Sequence, residues 1–126
     1  MRNAVLVLLG LAIGAIATAN VLSALRQRDA YPRGLMNVLQ HHYARLREDA
    51  RRNRCTDASL HDLDAIRMLG DEIPQAVYGA DTPDAAFREY QQRLHDAANI
   101  AAPCANVSAL VEQLGAACDA CHRQYR

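Results

Sequence analysis

Cys118, Cys121 and His122 fall in the order Cys118-Asp119-Ala120-Cys121-His122, a spacing with a chemistry of its own. Two thiols one helical turn apart can each add across a vinyl group of haem, and the adjoining imidazole then points at the iron. On a helix the three side chains share one face. Two other uses of the same residues stay open. A redox dithiol belongs near the start of a helix in a βαβ setting, which the sequence lacks. Half of a zinc site needs two further ligands, for which His41, His42 and Cys104 are the candidates. The histidine directly after the second cysteine favours haem, so the expected cofactor is one covalently attached haem c.

The elements that must position these residues have to fit in 126 residues, enough for one small domain. Arginine and lysine number 14, as do aspartate and glutamate, so the formal net charge is zero. That balance gives no basic groove, and nucleic acid is not an expected partner. With five Tyr, one Phe and no Trp, a core of this size would gain much of its volume from a buried porphyrin.

No charged residue occurs from Asn3 to Leu25, and Arg2 precedes the apolar run Ala4–Ile13. This is the charged-then-apolar pattern of an export signal. Ala17-Thr18-Ala19 offers a small-x-small cleavage site, yet the stretch is also long enough to span a bilayer at about twenty residues. Residues 1–25 are therefore an export signal or a membrane anchor, with a tether through residues 4–25 in the second case. Arg26, Arg28 and Arg33 on the far side blur the positive-inside rule. Bacterial c-type haem is attached outside the cytoplasmic membrane, so the domain at 29–126 is expected to face the periplasm, soluble after cleavage or anchored to the inner membrane.

The remainder reads as all-α, with breaks at Pro, Gly and Cys. A first helix begins at Asp29 or Tyr31 with Pro32 in its opening turn, and Leu35, Met36, Leu39, Tyr43 and Leu46 recur along one face. Arg51, Arg52 and Arg54 suit its C-terminal end. A second helix runs from about Ala58 to Ile73 and is broken by Pro74 with Gly79; a third starts at a Thr82 cap followed by Pro83 and carries Phe87, Tyr90, Leu94, Ala97 and Ile100. In the fourth, capped by Asn106, the positions Val107, Val111, Leu114, Cys118 and Cys121 carry the haem cysteines onto the core stripe. Short links favour an antiparallel up-down-up-down four-helix bundle, preceded by the N-terminal hydrophobic helix. In that topology Cys55 and Cys104 lie at the same end, where they form a disulfide or remain two free buried thiols.

A four-helix bundle with CxxCH near its C-terminus resembles the class II c-type cytochromes, the cytochrome c′ family. His122-Arg123-Gln124-Tyr125-Arg126 fits the family's pattern of His, two variable residues, an aromatic and Arg. Tyr31 to Leu46 looks like its first helix, with Tyr31 five residues before the distal position, Met36 at it and His42 six residues after it. The resemblance implies that His122 is the proximal iron ligand, that Cys118 and Cys121 form the thioethers, and that Arg126 belongs to the haem environment. It makes Met36 the distal residue. Family members with a non-ligating apolar residue there are five-coordinate and bind small gases such as NO and CO, whereas a ligating Met closes the site and suits electron transfer. His41 and His42 compete with Met36 for the iron. The family commonly has Arg directly after the aromatic, facing a haem propionate. Here Pro32 takes that place and Arg33 comes one residue later, a shift of about 100° on a regular helix.

The expected function is that of a monohaem cytochrome passing single electrons between redox protein partners, not an enzyme. The alternative is a five-coordinate gas-binding haem protein. Family members often dimerise through their first two helices, so a homodimer is among the implied states.

Overall fold

The computed structural model describes the backbone of residues 2–125 and the side chains of residues 7–23 and 30–125. All of the regular structure among them is helical: α1 (Arg2–Arg51), α2 (Asp57–Tyr78), α3 (Ala85–Ala98), a short 3₁₀ turn (Pro103–Ala105) and α4 (Val107–His122). The chain divides into two compact units, Met1–Arg33 and Gly34–Arg126.

The first unit is helix. No Gly or Pro interrupts residues 15–31, so nothing in the local sequence stops the helix at the expected boundary between 25 and 29. Pro32 accordingly lies inside α1, not in an opening turn. The described apolar side chains are laid open: Leu8, Leu11 and Ile16 are each about two-thirds exposed, at 66%, 66% and 63%. Among the described residues no helix is long and apolar enough to cross a membrane.

The second unit builds its core from one stripe per helix. Leu35, Leu39 and Leu46 of α1, Leu63, Ile66 and Ile73 of α2, Phe87 and Leu94 of α3, and Val107, Leu110, Val111 and Leu114 of α4 form one buried cluster. α3 packs against both α2 and α4. A polar tie joins α1 to α2: the buried Asp62 carboxylate pairs with His42 Nδ1 at 2.9 Å and accepts from Arg45 Nε at 3.0 Å. A second joins α2 to the end of α3, where Arg67 Nε donates to the Ala98 carbonyl at 2.8 Å.

Helix ends follow side-chain chemistry. Thr56 and Ser59 form a reciprocal capping box at the start of α2, and the Ser59 hydroxyl donates onward to Asp49 at 2.7 Å. Asn106 caps α4 as expected, its side chain accepting from the Ala109 amide at 2.9 Å. Two expectations are corrected. α3 is capped by Asp84 and starts at Ala85, because the Asp84 carboxylate accepts the Phe87 amide at 2.9 Å and leaves Thr82 and Pro83 outside the helix. α2 runs through Pro74 to end at Gly79, whose φ of +61° suits glycine. Proline at 74 offers no amide to the Gly70 carbonyl, which accepts instead from Gln91 Nε2 of α3 at 2.7 Å. The lost backbone bond is thus replaced from a neighbouring helix.

Cys55, in the α1–α2 link, and Cys104, in the 3₁₀ turn, stand at disulfide distance with Cα atoms 5.5 Å apart. With 49 residues of separation, the chain-entropy model assigns the closed loop about 4 kcal/mol. Replacing both cysteines by Ser is expected to lower the unfolding free energy by up to that amount in a denaturant titration. Gln91→Ala, which strips Gly70 of its substitute donor, is expected to cost about 1–3 kcal/mol in the same measurement.

Candidate functional site

The period of α4 sets the site. Val107, Leu110, Val111 and Leu114 bury one face, and the same face continues through Ala117 to Cys118 and Cys121. Beyond Leu114 this face borders a cavity of about 420 Å³ inside the second unit. Its wall from α4 comprises Gly115, Ala117, Cys118, Asp119, Cys121 and His122, the whole of the Cys118–His122 segment except Ala120. α1 contributes Met36, Asn37, Leu39, Gln40, Tyr43 and Arg47; Ile73 of α2 and Phe87, Tyr90, Gln91 and Leu94 of α3 close the remainder. The volume lies within the range of small-molecule and cofactor sites.

The structure therefore brings Met36 to the same cavity as Cys118, Cys121 and His122 across a sequence gap that no local pattern spans. Met36 is half-buried against the core, and His122 is exposed at the end of α4. His41 and His42 do not line the cavity. His42 is held by Asp62 and stands beside His61, with ring centroids 6.4 Å apart. Arg126 lies outside the described residues, and Arg33 belongs to the other unit.

The electrostatics of the two thiols separate the uses of the motif. Burial, with Asp119 and Cys121 adding to it, pushes the Cys118 thiol up to about 11, and burial also raises Cys121. Cys121 sits in the last turn of α4, where the helix dipole disfavours an anion, and Cys118 directly precedes that turn. A disulfide-exchange cysteine needs the opposite environment, one that stabilises thiolate near neutral pH. The zinc alternative lacks its partners as well, since Cys104 is taken by Cys55. No group of three or more His, Cys, Asp or Glu among the described residues could hold a metal ion. A porphyrin fits better than either: the wall offers one imidazole, one thioether and two thiols among Leu39, Ile73, Phe87 and Leu94. That donor set is the one for a covalently held haem iron.

Two contacts fix the shape of the wall. Tyr43 crosses from α1 to α4, its hydroxyl donating to the Val111 carbonyl at 3.2 Å. It does so over Gly115, where an added Cβ would lie 2.5 Å from the Tyr43 hydroxyl oxygen. Burial raises the Tyr43 pKa, so its phenol keeps the proton that makes this bond. Behind His122, the Tyr125 hydroxyl donates to the Asp84 carboxylate at 2.7 and 2.9 Å, and its ring meets Phe87 edge-on at a centroid distance of 5.3 Å. Tyr78 donates to the same carboxylate at 2.8 Å. The Phe87 amide and these two phenols hold the Asp84 carboxyl down at about 2. Asp84 thus caps α3 and anchors the segment that follows the iron-ligand candidate.

Sequence reasoning missed Asp84, Gly115 and Arg47. For Arg47 a signal existed: it lies eleven residues beyond Met36, about 20° from the same helix face. For Asp84 and Gly115 there was none, because their partners come from distant helices. Comparison of the chain with protein-family models, curated proteins and solved structures returns no match.

Gly115→Ala is expected to destabilise the fold by about 1–3 kcal/mol by displacing Tyr43, and the penalty should shrink in a Tyr43→Phe background, where the nearest remaining ring atom is 3.5 Å away. Denaturation of the four proteins of that cycle measures it. Acid titration checks the anchor. A carboxyl whose pKa is lowered on folding stabilises fully above its ordinary value of 3.8 and loses that contribution as pH falls through about 2. The stability difference between the wild type and Asp84→Asn should therefore narrow across that window; a difference independent of pH would contradict the assignment.

Proposed function

We propose that the chain is a periplasm-facing monohaem c-type cytochrome of the cytochrome c′ type, an antiparallel four-helix bundle that carries single electrons between protein partners. The observation that carries the reading is the convergence of Met36, Cys118, Cys121 and His122 on one cavity of about 420 Å³. When bound, haem supplies one iron that exchanges single electrons between its ferric and ferrous states. Every other role falls to the chain. Cys118 and Cys121 would hold the macrocycle through thioethers, and their burial raises both thiol pKa values against thiolate exchange.

His122, in the last turn of α4, would offer its imidazole to the iron, and Met36 of α1 would offer its thioether. A neutral sulfur ligand would favour the ferrous state and raise the potential, and ligands carried on separate helices would limit rearrangement on electron transfer. Leu39, Ile73, Phe87 and Leu94 would shield a bound macrocycle from water, and the exposure of His122 places that end of the cavity at the surface, where electron exchange with a partner would occur. No substrate pocket is needed beyond this cavity, so the protein is read as a carrier and not as an enzyme. The exposed apolar side chains of residues 7–23 and the oxidised pair Cys55–Cys104 support export, with residues 1–25 as signal or anchor.

Optical spectra of Met36→Ala test the ligand assignment. The wild type is expected to be low-spin in both oxidation states and slow to bind carbon monoxide, and the variant high-spin with ready carbon monoxide binding. A wild type that is already high-spin would favour the gas-binding alternative; a variant that stays low-spin would hand the distal role to another residue.

A further inference from the structure

Haem c carries two carboxylates as well as an iron, and a carboxylate drawn into a protein needs a cation or several donors around it. Arg47 is the one arginine in the wall of the cavity, which contains no lysine. The other charged positions there are Asp119, which would repel a carboxylate, and His122, which the iron claims. The Tyr43 hydroxyl is committed to the Val111 carbonyl.

The pairing pattern along α1 singles out the same residue. Arg45 is bound to Asp62 at 3.0 Å, Arg52 to Glu48 at 2.8 Å, and Arg54 to Asp49 at 2.8 Å, beyond the helix end. Arg51 reaches Glu48 at 3.7 Å. Arg47 alone of this group has no ion pair among the described residues. Its guanidinium lies over the Tyr43 ring instead, with Cζ 5.8 Å from the centroid. A cation–π contact of this kind uses no N–H of the guanidinium, so its planar fork is left to match a carboxylate with two parallel hydrogen bonds. The Tyr43 ring beside it is itself fixed, because Tyr43 is seated over Gly115 and tied to α4.

We infer that Arg47 holds a propionate carboxylate of the porphyrin where the cavity meets solvent, so that Tyr43, Gly115 and Arg47 form one carboxylate-binding element; this rests on the haem reading above. Removing the guanidinium leaves that carboxylate uncompensated, which favours the ferric state and lowers the reduction potential.

The test compares Arg47→Gln, Arg47→Lys and Arg52→Gln, each as the full-length holoprotein with helicity checked by circular dichroism. Arg52→Gln removes the same charge from the same helix, but Arg52 does not line the cavity. Resonance Raman spectra of the propionate-bending mode and the reduction potential at neutral pH are the readouts. Arg47→Gln is expected to shift the bending mode and lower the potential, Arg47→Lys to restore much of the potential, and Arg52→Gln to change neither. Equal potential shifts in Arg47→Gln and Arg52→Gln, or an unshifted bending mode in Arg47→Gln, would overturn the assignment. A wild type without haem would instead remove the reading beneath it, and that is seen before any variant is compared. Should Arg47→Gln fail to fold, Arg47→Lys decides: the bending mode must shift when a fork is replaced by an ammonium, and an unchanged mode would overturn the inference.

Discussion

An α-helix turns about once every 3.6 residues, and α4 applies that period to two tasks on a single face. From Val107 to Leu114 the face is buried in the shared core; from Ala117 to Cys121 it becomes the wall of a cavity. Everything else in the second unit is arranged around this change of use. The core half must be tight enough to hold α4 in place, and the other helices must present Leu39, Ile73, Phe87 and Leu94 at a distance that leaves about 420 Å³ open. The cavity mixes that apolar wall with Asn37, Gln40, Arg47, Asp119 and His122, the mixed lining of a ligand or cofactor site. Cys118, Cys121 and His122 stand on the wall of that same space.

The polar contacts around the cavity hold it open without filling it. Gln91 supplies a donor to the carbonyl that Pro74 leaves without one, and so keeps α2 and α3 in register beside the site. Tyr43 braces α1 against α4 over a position that only glycine leaves free. Asp84 joins the cap of α3 to Tyr125, three residues beyond His122. Each contact has one partner on a wall residue or next to one, so the fold's stability and the shape of the site depend on the same side chains.

What could be read in the sequence was local or periodic. Helical stripes of apolar residues gave most of the core positions, although Leu60 of the expected second stripe is exposed and the buried Leu110 fell outside the fourth, and Asn106 gave the start of α4, because caps and periods act within a few residues. The CxxCH spacing pointed to its chemistry without any fold. What could not be read depended on distant partners. Pro74 looked like a helix end because the donor that rescues its helix is on α3, seventeen residues further along. Thr82-Pro83 looked like a helix start because nothing local says that two phenols, one of them at Tyr125, converge on Asp84. That the cavity wall includes Met36 and neither His41 nor His42 could not be read locally either, because it depends on how α1 faces the other helices. The cysteines 55 and 104 lie between these cases: topology suggested their meeting, and the 5.5 Å Cα separation accords with it.

The central claim is that Cys118 and Cys121 carry haem, and intact-mass spectrometry tests it most directly. The chain is produced in a periplasm with c-type maturation intact, then denatured and extracted so that any non-covalent cofactor is removed. The account predicts a mass equal to the polypeptide plus one haem, lost when both cysteines are replaced by Ala. A mass equal to the polypeptide alone, with both thiols free to alkylate, would contradict it.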